Sequence, residues 1–257
     1  MDWKQFLRDR PQLFKKENLC GRGPFYGRRI THSMSPYLVY VCLKMGITPD
    51  QVTAFSMVLG WVASILFAIP SRTSVLLGAL SLEACYVFDS VDGQLARMTG
   101  KCSKTGAFYD TLVNYLVHPL VFISIGLGQY RVTGNWIFML CGTLSGLAYV
   151  WLGLMWEVRA HILWESQRSS EPSFKTDPVK KEKRRSLARS FFSFLHKLCT
   201  FPPVMNLISF TAVLEFFTNK LFLPGYLIGF YGVAIPFVSL SKIAKMLLDH
   251  ELDKEFN

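Results

Sequence analysis

Apolar residues in this chain come in long blocks. Six stretches, at about 51–69, 74–95, 106–130, 135–157, 201–218 and 222–246, approach the roughly 20 residues that a helix needs to cross a hydrocarbon core of about 30 Å. Gly and Pro interrupt several of them, which spanning helices tolerate. No run alternates with period two, so a membrane β-barrel is disfavoured. Ahead of the first block lies Ser35–Met45, SPYLVYVCLKM, apolar with a polar edge and preceded by Arg28 and Arg29. That pattern predicts an amphipathic helix lying in the membrane interface. The first twenty residues are polar and lack the apolar core of a cleaved leader. The expected architecture is all-α: a polytopic membrane protein with six transmembrane helices plus an N-terminal interfacial amphipathic helix. Residues 1–50 form the segment before the spans, 51–246 the six-helix domain with a loop at about 158–200, and 247–257 a tail.

Composition narrows the class. Residues of the AVILMFWYC set make up 51% of the 257, and charged residues only 18%, against about 25% in soluble domains. The composition argues against intrinsic disorder, which needs low hydrophobicity. The six cysteines (Cys20, Cys42, Cys85, Cys102, Cys141, Cys199) have neither paired nor C-x-x-C spacing, so a disulfide scaffold or a zinc site is not expected. A net charge of +10 could suggest nucleic acid, but the distribution argues against it. Of the 28 Lys and Arg, 25 fall before the first span, between the second and third, between the fourth and fifth, and after the sixth. Only Arg72, Arg131 and Lys220 fall in the other turns. The positive-inside bias then places both termini in the cytosol. The loop 165–190, polar and ending in a basic cluster, reads as a cytosolic linker that touches anionic headgroups, or as a passive positive-inside anchor.

Charged side chains inside a membrane segment are expensive and mark function by default. The second block ends FDSVDGQLAR, which places Asp89, Asp92, Gly93, Ala96 and Arg97 on one helical face. Two carboxylates one turn apart can ligate a hard cation through oxygen. The small residues let a ligand approach the backbone, and Arg97 can clamp a phosphate. The third block opens TGAFYDTLVNYLVH, where Gly106, Asp110 and Asn114 form a slanted stripe. Asp89, Asp92 and Asp110 are therefore expected to converge on adjacent antiparallel helices, around metal.

These residues resemble the signature of the CDP-alcohol phosphotransferases, D-x2-D-G-x2-A-R-x8-G-x3-D-x3-D. It is read here as Asp89, Asp92, Gly93, Ala96, Arg97, Gly106 and Asp110, with Asn114 in the place of the last Asp. Upstream, ITPDQVT (47–53) is similar to the family's T-P-N-x-V-T entry into the first span, with Asp50 in the Asn place. The resemblance implies a six-helix fold, commonly homodimeric, with its site at the cytosolic face. It implies displacement of CMP from CDP-diacylglycerol or another CDP-alcohol by an acceptor alcohol, in phospholipid or lipid-head-group synthesis. Mg2+ or Mn2+ would be held by Asp89, Asp92 and Asp110, joined by Asn114. Asp92, Gly93, Ala96, Arg97 and Gly106 would shape the nucleotide site. Asp110 and Asn114 would be catalytic positions, with His118, one turn beyond Asn114 and outside the signature, a third candidate. Membrane lipids are the expected surroundings, and nucleic acid is not expected as a partner.

In the family the last Asp is the expected general base, a role Asn cannot fill, although its carbonyl can still ligate a cation. Four readings stand: a base relocated to another group, an inactive relative that binds CDP-lipid and metal as a scaffold or regulator, an engineered Asp-to-Asn variant that traps substrate, or reaction without a dedicated base. His118 and Glu83 are the ionisable groups near these two helices that could stand in, or pair with each other. Arg159, His161, Lys242 and Lys245 could bind an acidic acceptor such as a sugar phosphate, or serve only as positive-inside anchors. The acceptor alcohol is not legible.

Overall fold

The computed structural model describes residues 25–169, 187–218 and 223–249. Among them every regular element is a helix: α1 (Phe25–Met45), α2 (Pro49–Ala68), α3 (Arg72–Thr99), α4 (Lys104–Thr133), α5 (Trp136–Ser169), α6 (Leu187–Leu198), α7 (Phe201–Thr218) and α8 (Leu223–Asp249). Five of them, α2, α3, α4, α5 and α8, are long and apolar enough to cross a membrane. The sixth candidate is a bent pair, Phe192–Leu198 with Pro203–Thr218, angled by 61°. The polytopic all-α expectation holds, and the observed ends lie within a few residues of the expected ones, except that α5 runs on past 157 to Ser169. The residues before 25, most of the loop 165–190 and the tail after 249 lie outside the described residues.

Local chemistry explains the helix ends around the motif. Thr48 caps α2 through a reciprocal box: its hydroxyl accepts from Gln51 N, and Gln51 Oε1 accepts from Thr48 N at 3.0 Å. Pro49 occupies the first helical position, where a missing N–H costs nothing. Gly100, at φ 66°, stops α3 in the left-handed conformation, and Lys101 N donates to Ala96 O at 3.0 Å. Ser103 then caps α4 by accepting from Gly106 N at 2.8 Å. The eight residues between Arg97 and Gly106 are thus the end of one helix, a left-handed stop, a short turn and a new cap.

Packing follows small residues. A Cβ added to Gly126 would fall 2.6 Å from Phe138 O, and one added to Gly142 would fall 2.6 Å from Phe122 O, so α4 and α5 approach backbone to backbone there. The main buried cluster joins Ala63, Phe67, Leu82, Val117, Phe122, Ile208 and Tyr231 at the centre of the bundle. One topological expectation is corrected. The helices that carry the motif, α3 and α4, are consecutive but do not pack closely along their length. Each packs instead against α2, while α4 continues onto α5 and α5 onto α8. A gap is left between α3 and α4 at the motif end. The amphipathic segment expected at 35–45 is helical but begins at Phe25, and it packs on α3, where Gln94 Nε2 donates to Ser35 Oγ at 2.8 Å. The loop expected at about 158–200 is helical at both ends, where α5 runs to Ser169 and α6 occupies 187–198, while α7 begins at Phe201, where the fifth span is expected.

Candidate active site

Asp89 on α3 and Asp110 on α4 face each other across the gap, close enough to share a hydrogen bond, and Asp92 lies within electrostatic reach of Asp110. Asp92 is 6% exposed. It is held from α2, where the Thr53 hydroxyl donates to Asp92 Oδ2 at 2.5 Å. The expected convergence of three carboxylates is therefore realised as a facing pair with the third turned to α2. Among the described residues, no three acidic, His or Cys side chains form a ready metal cage. The donor set itself, carboxylates with the amide oxygen of Asn114, suits a hard divalent cation. Asn114 Nδ2 donates to Asp110 O at 3.0 Å, a bond that does not use its amide oxygen.

The small residues of the motif have close neighbours. A Cβ on Gly93 would meet Arg97 Nη1 at 3.3 Å, so the guanidinium folds back over the bare backbone of α3 and acts on Asp92. Ala96 lies one turn beyond Asp92 on the same helix. A Cβ on Gly106 would meet Ser103 Oγ at 3.1 Å and Asp50 Oδ1 at 3.6 Å, which brings the start of α2 into the same region.

Beside the pair opens a cavity of about 420 Å³. Its walls include Asp89, Asn114, His118, Glu157, His196 and Lys242, drawn from α3, α4, α5, α6 and α8. A second cavity of about 240 Å³ shares Trp156, His196 and Lys242 with it and extends to Arg159. A third, of about 290 Å³, shares Arg159 and is otherwise lined by apolar residues such as Trp151, Leu154 and Val158. Lys242 Nζ lies 5.5 Å from the centre of the Trp156 ring, within cation–π range. The three spaces pass from carboxylates, through cationic groups, to an apolar flank.

Of the two stand-in groups, His118 lines the main cavity, with its ring edge-on to Tyr149 at 5.1 Å. Glu83 does not: it faces the Ser209 hydroxyl on α7. His161 lies near Glu165, 3.8 Å away on its own helix, and is absent from the cavity walls. Sequence reasoning missed Glu157, Thr53 and His196. Only Thr53 carried a signal, as the last residue of the ITPDQVT segment.

A conserved-family model, CDP-alcohol phosphatidyltransferase, matches residues 46–214, and the chain belongs to that family. Archaetidylinositol phosphate synthase of Pyrococcus horikoshii is 34% identical over 85 residues, a stretch that spans 33% of this chain and 44% of that relative. The fold is similar to that of the Mycobacterium tuberculosis phosphatidylinositol phosphate synthase solved with CDP-DAG bound. The TM-score is 0.54 at 16% identity, covering 82% of this chain and 92% of that one.

Proposed function

We propose that this protein transfers a phosphatidyl group from CDP-diacylglycerol to a phosphorylated polyol and releases CMP. The observation that carries this reading is the Asp89–Asp110 pair beside a cavity that Lys242 also lines and that leads on to Arg159. Asp89, Asp92, Asp110 and the Asn114 carbonyl would hold Mg2+ or Mn2+ at the cytosolic face. When bound, the cation would neutralise the diphosphate as the leaving group departs. Thr53 orients Asp92, Arg97 clamps a phosphate, and the small residues Gly93, Ala96 and Gly106 shape the nucleotide site. Lys242 and Arg159, with His196 beside them, offer charge to the phosphate of an acceptor. Both relatives carry inositol phosphate in their names, which favours that acceptor class. The apolar cavity beyond Arg159 suits an acyl chain.

The test is CMP release by the purified protein from CDP-diacylglycerol with Mg2+ or Mn2+, across a panel of inositol phosphate, glycerol phosphate, inositol and serine. Turnover with a phosphorylated acceptor, abolished by EDTA, is the expected result. Cytidine nucleotide binding with no CMP release for any acceptor would favour instead a relative that binds CDP-lipid as a scaffold, the reading that Asn114 keeps open.

A further inference from the structure

Resting on that reading, we propose that Glu157 is the general base that takes the proton from the acceptor hydroxyl. The side chain is placed by the α4–α5 seam. These helices run antiparallel: Gly126 meets Gly142, Pro119 meets Gly146 and Tyr115 meets Gly153. Gly153 is tightly covered, since an added Cβ would fall 2.6 Å from Tyr115 Oη. One further turn along each helix sets Glu157 against Thr111. That level lies between Asp110 and Asn114. Glu157 and Thr111 both line the 420 Å³ cavity, as Asp89 does. The Tyr115 phenol is close enough to Glu157 to feel its charge.

The other ionisable groups on these walls suit the role less well. The Asn114 amide accepts no proton. Asp89 and Asp110 are engaged with each other and belong to the cation's ligand set. His118 lies a turn beyond Asn114, against Tyr149. His196 stands with Lys242 on the cationic wall. Phenols such as Tyr86 and Tyr115 are ordinarily protonated until about pH 10. Glu157 is a carboxylate outside the facing pair, and it is exposed, so a captured proton has a route to water.

The step balances without a further reactant. The acceptor oxygen forms a bond to the β-phosphorus while its proton passes to the Glu157 carboxylate. The bond from that phosphorus to the bridging oxygen breaks, and CMP leaves with the electron pair. Glu157 then returns the proton to solvent.

The experiment uses the full-length protein in nanodiscs with CDP-diacylglycerol, Mn2+ and the best acceptor from the panel. Glu157→Gln is expected to lower kcat by about 10²–10⁴-fold, with the KM for CDP-diacylglycerol and CDP binding unchanged. Asn114→Asp added to Glu157→Gln is expected to restore turnover, because it returns a carboxylate to the same cavity; a merely structural role would not be rescued in this way. Near-wild-type kcat in Glu157→Gln overturns the proposal. So does loss of CDP binding in that variant, or failure of the double variant to recover. An inactive wild type is a different outcome, since it removes the transferase reading and this proposal with it.

Discussion

Thr53 and Asp92 show how one side chain from a neighbouring helix sets the chemistry of a motif. Asp92 is nearly enclosed, and the Thr53 hydroxyl is its donor from α2. Hydrogen bonds to charged groups contribute roughly 1.5–3 kcal/mol. Thr53→Val is therefore expected to weaken metal-dependent cytidine nucleotide binding by about 10–100-fold with helix content unchanged, as read by titration calorimetry and circular dichroism. An unaltered affinity would remove Thr53 from the site. Asp89→Asn breaks the facing pair and is expected to abolish the metal-dependent part of that binding; CDP binding that persists with the metal chelated would argue against carboxylate-held metal altogether. The spacing of Asp89 and Asp92 was legible because it is local, set by one turn of α3, and Asp110 was legible because it falls near the start of the next apolar block. Thr53, Glu157 and His196 were not legible as a group, since they reach the site from α2, α5 and α6 and only packing brings them there. Glu83 illustrates the opposite error: six residues from Asp89 in sequence, it points to Ser209 on another helix.

At the scale of elements, hydropathy identifies which segments cross but not which ones touch. The spans were legible to within a few residues at most ends, because Thr48, Gly100 and Ser103 punctuate them with ordinary capping chemistry. The pairing was not, and the expected α3–α4 neighbours turned out to be joined through α2. Nor was α6, although LARSFFSFLHKL repeats its Phe and Leu residues at helical spacing. Two element-level outcomes follow from the observed packing. Ser103→Ala removes the cap that begins α4 and is expected to cost about 1 kcal/mol. Gly126→Leu forces apart the backbone contact with α5, and overpacking of that kind typically costs about 1–3 kcal/mol. Thermal unfolding in detergent should show the larger drop for Gly126→Leu. It should also show loss of the 420 Å³ cavity's function only in that variant, because the seam that holds Tyr115 and Glu157 is the one being displaced.

Across the whole molecule, charge is distributed by end. The end that carries the motif holds Arg97, Lys101, Lys104, Arg159 and Lys242, whereas the far end holds Arg72 and Arg131. Arg131 at that far end is tied down: its Nη1 donates to Ala68 O at 2.8 Å and links the α2–α3 turn to the end of α4. The positive-inside bias counts short loops near span ends most strongly, and the turn between α3 and α4 is such a loop. The motif end is accordingly expected to face the cytosol, where a water-soluble phosphorylated acceptor would arrive and CMP would depart. Cys102 offers a native probe of this orientation, since it is exposed in that same turn. In intact cells a membrane-impermeant thiol reagent should leave Cys102 unlabelled, and a cysteine placed at Ser170 should behave the same way. Both should react once the membrane is permeabilised. A cysteine at Thr133, near Arg131, should show the reverse and react from outside. Labelling of Cys102 in intact cells, with Thr133→Cys protected, would invert the protein in the bilayer and move the carboxylate pair, the cationic wall and Glu157 to the opposite leaflet.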